Sequence, residues 1–202
     1  MPGQRASEAT RREQILNAAY EVALRRGIDG LTVRAVAAKA RLSHGLVLFH
    51  FKRKDQLGLA LLDRVLAMTL SLKMSNEVRA MPNPGERLQE LLRQEMQRLS
   101  ADPRRVRLLL EYWARGAHNT VIRAKISAEM DKYRAGFRTI AEEARRMETG
   151  RWASGTPAGL AAAAVSLIMG YPVQSMIDPD HVDVGEYLAT AQEILGQLSK
   201  VA

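Results

Sequence analysis

The chain has 202 residues, 47% of them hydrophobic and 26% charged, enough for one large buried core or two small ones. It contains no cysteine, which excludes disulfides, thiol catalysis and thiolate metal sites. Its formal net charge of +8 is uneven: residues 1–54 carry 11 Lys+Arg against 4 Asp+Glu, and residues 55–202 carry 19 against 18, so a basic head precedes a nearly neutral body, the footprint of a segment that meets a polyanion.

Met1 to Glu13 is polar and charged, without the apolar core of a leader. Thr10 with Glu13 reads as a capping box opening a first helix that stops near Gly27. Its apolar residues Ile15, Ala18, Ala19, Val22 and Ala23 are too small for a lipid-binding face and suit packing in a small domain. Thr32 then caps a short helix carrying Val33, Val36, Ala37 and Ala40. Ser43 caps a third helix, in which Val47 and Phe51, four residues apart, share the buried face. His44, Leu46, Leu48, Phe49 and His50 fall largely on other faces, so much apolar surface is left outward. That suits a helix meeting base edges, where thymine methyls accept apolar contact. Lys52, Arg53 and Lys54 follow, placed for phosphates. The alternative for the same pattern is a three-helix packing unit with a solvated basic loop.

Beyond Lys54 the helical signals continue. A long helix is expected from about Asp55 to Arg79 on Leu57, Leu61, Leu62, Val65, Leu66, Met68, Leu72 and Met74. Asn83-Pro84 and Asp102-Pro103 open the next two, the second ending near Gly116. An amphipathic run covers about Asn119 to Glu148, Thr156-Pro157 opens an almost wholly apolar helix to about Asp178, and Asp183 with Glu186 opens the last, ending near Lys200. About nine helices and no convincing alternating strand make the fold all-α. A head at 1–54 and a body at 55–202 are expected, with the fourth helix starting at once and acting as a lever. Residues 158–177 are interrupted by glycine, proline, serine and glutamine, so no membrane span is expected, and the expected location is cytoplasmic.

The stretch from Thr32 to Leu57 resembles the TetR family of bacterial transcriptional regulators. The matching residues are Thr32, Val36-Ala37, Leu42-Ser43-His44-Gly45, Leu48, His50-Phe51, Lys54-Asp55 and Leu57. The resemblance implies a helix-turn-helix head in which Thr32 caps its helix and donates to a phosphate and Arg34 aligns with a position that reads a base in some relatives, a solvent-facing arginine being the alternative. Ser43, His44, Gly45 and Leu46 would lie nearest the base edges, Phe49 against sugar, a thymine methyl or the first helix, and His50 and Lys54 on phosphates. Two positions depart from the family pattern. Arg41 replaces the turn glycine and costs about 1 kcal/mol if the turn keeps a left-handed backbone, unless it gains a phosphate contact. Leu48 replaces a tyrosine and removes a hydroxyl donor. Both bear on the half-site sequence, not on docking. The body weakly resembles the betaine-regulator branch, through Leu110-Glu111-Tyr112-Trp113-Ala114, the Glu148-Thr149-Gly150 turn, Gly170-Tyr171 and Asp178-Pro179. It does not specify a ligand.

Other chemistry finds little support. His118 sits at a helix end, where the dipole favours it, and His181 in DPDHVD lacks the glycine and spaced glutamate of a calcium loop. No catalytic residue, cofactor or metal is expected. Helical bundles often enclose apolar cavities, and Met68, Leu72, Leu92, Met96, Leu109, Tyr112, Trp113, His118, Tyr133, Phe137 and Met169 are candidates to line one; plain core is the alternative. Leu160, Ala164, Leu167, Ile168 and Tyr171, with Tyr187, Ala191, Ile194 and Leu195, are expected at a four-helix homodimer interface, burial within one subunit being the alternative. The reading is a dimeric regulator, a repressor released from a palindromic operator by a small-molecule effector. An effector-independent architectural DNA-binding protein and a helical small-molecule-binding protein or enzyme with an incidental basic head are the rivals.

Overall fold

In the computed structural model, residues 7–147 and 155–198 are described, the side chains of 195–198 excepted. Among the described residues the chain forms ten helices and no strand: α1 (Glu8–Arg26), α2 (Val33–Ala40), α3 (His44–Phe51), α4 (Lys54–Thr69), α5 (Asn76–Ala80), α6 (Pro84–Ser100), α7 (Pro103–Gly116), α8 (Thr120–Met147), α9 (Pro157–Ile177) and α10 (Val184–Leu198). The all-α architecture is the one the periodicities imply. The Glu148-Thr149-Gly150 turn lies outside the described residues.

Local cap chemistry sets most helix starts. Thr32 Oγ1 accepts the Ala35 N–H at 3.1 Å and Ser43 Oγ the Leu46 N–H at 3.2 Å. Asn83 Oδ1 accepts from Gly85 and Glu86 ahead of α6, with Pro84 at its first position. Asp183 Oδ1 accepts the Glu186 N–H at 2.9 Å. Each satisfies a donor that a first turn leaves unpaired, worth about 1 kcal/mol. α1 differs from expectation: its cap is Ser7, which accepts the Thr10 N–H at 3.1 Å, so Thr10 lies inside the helix. The earlier start sets Glu8 against the positive helix end.

α4 also departs from expectation, ending at Thr69 rather than running to Arg79, and α5 is the helix the apolar spacing hid. The break has identifiable causes. Arg98 Nη2 donates to the Thr69 carbonyl at 2.8 Å, satisfying an acceptor at the end of α4. Leu72 occupies the space beside Gly136, where any Cβ would collide with it. Ser75 Oγ then accepts the Val78 N–H at 3.3 Å and restarts the helix.

Two compact units form, Met1–Met68 with Leu108–Ile126, and Thr69–Arg107 with Ser127–Ala202. In the first, α1 packs on α2 and α2 on α3, around Ile15, Ala19, Val36, Val47, Phe51 and Leu57. In the second, α6, α9 and α10 pack on one another, with Leu91, Leu92, Met96, Tyr133, Phe137 and Ile168 fully enclosed. Glu95 lies within that core, 1% exposed. It accepts from Tyr133 Oη at 2.7 Å and from Arg98 at 2.6 and 3.1 Å, the dense pairing that a buried carboxylate requires. Burial and the adjacent Glu95 charge hold the Tyr133 hydroxyl far above its ordinary pKa.

α9 is, by length and composition, long and apolar enough to cross a membrane, contrary to the expectation that its interruptions disqualify it; 44% of the window concerned is buried inside the chain. Its two sides differ. Leu160, Ala161, Ala164, Val165, Ile168, Met169 and Tyr171 are buried, whereas Ala162, Ala163, Ser166, Val173 and Ile177 are exposed. The expected interface set therefore splits. Leu160, Ala164, Ile168, Tyr171 and Ala191 are covered within their own chain and offer a partner no surface in this packing. Leu167 and Tyr187 are half-buried, the Tyr187 hydroxyl donating to the Leu167 carbonyl at 3.0 Å, and Ile194 is exposed. The Leu195 side chain lies outside the described residues.

Candidate nucleic-acid interface

α1 holds α2 and α3 by their C-terminal ends. Gln14 Nε2 donates to the Ala40 carbonyl at 2.9 Å and Arg12 Nη1 to the His50 carbonyl at 2.8 Å, supplying donors that the last turns lack. The Arg12 guanidinium also lies 4.3 Å from the Phe51 ring centroid. Val47 and Phe51 turn inward, as their four-residue spacing predicts. The opposite side of α3 is left open.

Most of the residues expected to meet DNA are exposed. Thr32, Arg34, Ser43, His44, Gly45, Phe49 and Lys54 are exposed, while Leu46, Leu48 and His50 are half-buried. Phe49 is 73% exposed, its ring edge-on to His50 at 5.2 Å, free for apolar contact. A Cβ at Gly45 would meet nothing within 4 Å. The Thr32 and Ser43 oxygens accept backbone N–H groups, which leaves each hydroxyl proton for an outside acceptor. His50 Nδ1 is buried without a partner, so any phosphate contact falls to its other ring nitrogen.

The turn between α2 and α3 has the left-handed backbone that a glycine would serve: Arg41 has φ 55, ψ 44. Lys52, which caps α3, has φ 51, ψ −47. Sequence reasoning anticipated the first condition and missed the second, because nothing in a Phe-Lys-Arg sequence marks a reversed φ.

The same unit is tied together over long sequence distances. The Ile28 N–H donates to Glu111 Oε2 at 2.7 Å, just after Gly27 at φ 68. The Tyr112 hydroxyl donates to the Gly58 carbonyl at 2.8 Å, Lys125 pairs with Asp63 at 2.6 Å, and Arg115 pairs with Asp29. Burial raises the Tyr112 hydroxyl far above its usual pKa. None of these ties has a local signal, since their partners are 54 to 86 residues apart.

A cavity of about 280 Å³ is lined by Ile28, Leu31, Gly58, Leu59, Tyr112 and Ile122, with Lys54 and Arg115 also on its wall. Of the residues expected around an effector, Tyr112 lines this cavity and His118 lines a more open cleft with Asp29 and Glu111. Leu92, Met96, Leu109, Tyr133 and Phe137 are fully buried and Met169 nearly so. Leu72 and Trp113 are half-buried, and Met68 is 37% exposed. The structure divides the set: Met68, Leu109, Tyr112, Trp113 and His118 belong to the first compact unit and the rest to the second.

Residues 15–61 match the profile of bacterial regulatory proteins of the tetR family, and residues 84–200 match that of the BetI-type transcriptional repressor C-terminal domain. An HTH-type transcriptional regulator in the dhlA 5' region of Xanthobacter autotrophicus is 28% identical over 176 residues, 85% of this chain and 82% of that one. Among solved structures, a transcriptional regulator from Saccharomonospora viridis in complex with choline aligns over 95% of this chain and 97% of its own, at 20% identity and a TM-score of 0.76. FadR from Bacillus subtilis in complex with stearoyl-CoA aligns over 93% and 97%, at 18% identity and a TM-score of 0.70. These structural likenesses share the fold, and the second profile alone spans more than half of the chain. A capped short helix, a left-handed turn and an open third helix, followed by a BetI-type body, thus place this chain in the TetR family of DNA-binding transcriptional regulators.

Proposed function

We propose that the protein is a homodimeric repressor whose heads, residues 1–54, bind a roughly palindromic operator, and whose body, residues 55–202, binds a small molecule that releases the DNA. The outward side of α3 carries this reading: an exposed phenyl, an open glycine and a half-buried apolar row are flanked by unpaired cations. Ser43, His44, Gly45, Leu46 and Phe49 would face base edges, with Arg34 suited to guanine. Thr32, His50 and Lys54 would hold phosphates. Leu48, lacking a hydroxyl, would pack against the backbone sugar. The dimer would form through the outward side of α9, from Ala162 to Ile177, with α10, and would present two recognition helices to successive major-groove faces. Cytoplasmic residence follows from this role.

The effector would bias two arrangements of the heads by preferring the one that does not fit DNA. A factor of ~100 in operator affinity needs ~2.7 kcal/mol of coupling. The solved relatives named above hold ligands as unlike as choline and stearoyl-CoA. Thermal-shift measurements with those two compounds are therefore the first screen for the ligand of this body.

The decisive test is selection of bound fragments from random duplex DNA at ~150 mM salt. The expected result is a palindromic motif with half-sites about one helical turn apart. Enrichment without a motif would favour the architectural role, and no enrichment would overturn the operator reading.

A further inference from the structure

Among the described residues, two non-glycine residues have positive φ, and both are long cations: Arg41 caps α2 in the turn before α3, and Lys52 caps the C-terminal end of α3. Arg41 lies in the left-handed region, which a Cβ disfavours relative to glycine. Its backbone does what a helix-ending glycine does: its N–H donates to the Ala38 carbonyl at 3.2 Å, and the Leu42 N–H donates to the Ala37 carbonyl at 2.9 Å. Lys52 closes α3, its N–H donating to the Leu48 carbonyl at 2.7 Å, while the Arg53 N–H donates to the Phe51 carbonyl across it. That two-residue closure around a positive φ is a strained turn. Neither turn uses the side chain of its central residue.

Both side chains are exposed, and neither forms an ion pair among the described residues. Three nearby cations are occupied: Lys39 pairs with Glu21, Arg64 with Glu13, and Arg12 is held by the His50 carbonyl and the Phe51 ring, whereas Arg34, Arg53 and Lys54 are exposed like Arg41 and Lys52. Glu13 and Glu21 share a cleft on α1 with Arg41, and their partners are already supplied. A backbone that keeps a long cation where glycine would be less strained points to a use for the side chain. An eight-residue helix is about 12 Å long, comparable to the width of the major groove. Long cations in the turn before it and at its C-terminal cap can therefore reach the phosphates that border the groove.

We propose that Arg41 and Lys52 are phosphate-contacting residues, one in the turn before α3 and one at its C-terminal cap, that set the depth and register of the recognition helix. This rests on the reading of α3 as the recognition helix. Phosphate contacts position a protein without reading sequence, so both residues act on all duplexes alike.

The test uses the full-length protein, a labelled duplex enriched in the selection above and a scrambled duplex of the same composition. Binding is measured from about 50 to about 300 mM KCl. Arg41→Gly and Lys52→Gly are each expected to weaken both duplexes on the order of tenfold and to flatten the salt slope by about 0.9 per protomer. Their melting temperatures stay equal or rise by up to about 2–4 °C as strain is relieved. Arg41→Lys keeps the charge and is expected to retain the wild-type slope. Unchanged affinity and slope in the glycine variants overturns the proposal. So does weaker binding accompanied by a lower melting temperature, the mark of a structural role, or an Arg41→Lys variant as weak as Arg41→Gly. A wild-type protein that enriches no duplex would instead overturn the operator reading on which this rests.

Discussion

His44 and Lys54 are both exposed at opposite ends of the α3 segment, but their chemistry predicts different losses. An imidazole at the start of a recognition helix can discriminate bases, whereas a lysine at the start of α4 supplies a point charge. Lys54→Ala is expected to weaken operator and scrambled DNA alike and to flatten the salt slope by ~1, measured by fluorescence anisotropy. His44→Ala is expected to change the preferred half-site more than the affinity, and an unaltered motif in repeat selection would remove it from base reading. The exposed residues of this face were legible because caps and helical spacing are local. Arg12 and Gln14 were not: each caps a helix 26 to 38 residues away, a partnership no spacing rule encodes.

At the scale of elements, the end of α4 shows how tertiary contacts override periodicity. Leu66, Met68, Leu72 and Met74 keep a helical spacing past Thr69, so propensity alone carries the helix onward. Arg98 and Gly136, on α6 and α8, decide otherwise by capping Thr69 and receiving Leu72. The Tyr133–Glu95–Arg98–Thr69 chain joins α8, α6 and the end of α4. Arg98→Met removes the cation from a carboxylate that is 1% exposed and frees the Thr69 carbonyl. It is expected to cost about 3 kcal/mol, read as a lower urea midpoint at unchanged slope. A midpoint within error of wild type would show that the chain adds nothing to stability.

For the whole molecule, one side of α9 is buried in the chain and the other carries the proposed dimer interface. Ile168 is wholly enclosed, so Ile168→Ala is expected to destabilise the fold by about 2–4 kcal/mol. Ala163 is exposed on the other side. Ala163→Arg is expected to leave the melting profile of the monomer intact while sedimentation shifts from dimer to monomer, with much weaker operator binding. A dimer that survives the substitution would place the interface elsewhere. Composition announced α9 as a helix that must be buried, without saying how much of that burial occurs inside the chain.

The amino-acid sequence by itself determined the all-α class, most helix starts, the basic head and the capped turn of its binding motif. These depend on side chains acting within a few residues of themselves, through caps, charge and helical spacing. Tertiary structure alone decided where α4 stops, which side of α9 is left open, and how Arg12 and Gln14 brace the motif. It also divided the expected effector residues between two compact units and brought Glu95, Arg98 and Tyr133 together. Those outcomes depend on which distant side chains fill the same space, and close packing settles that only once the chain has folded.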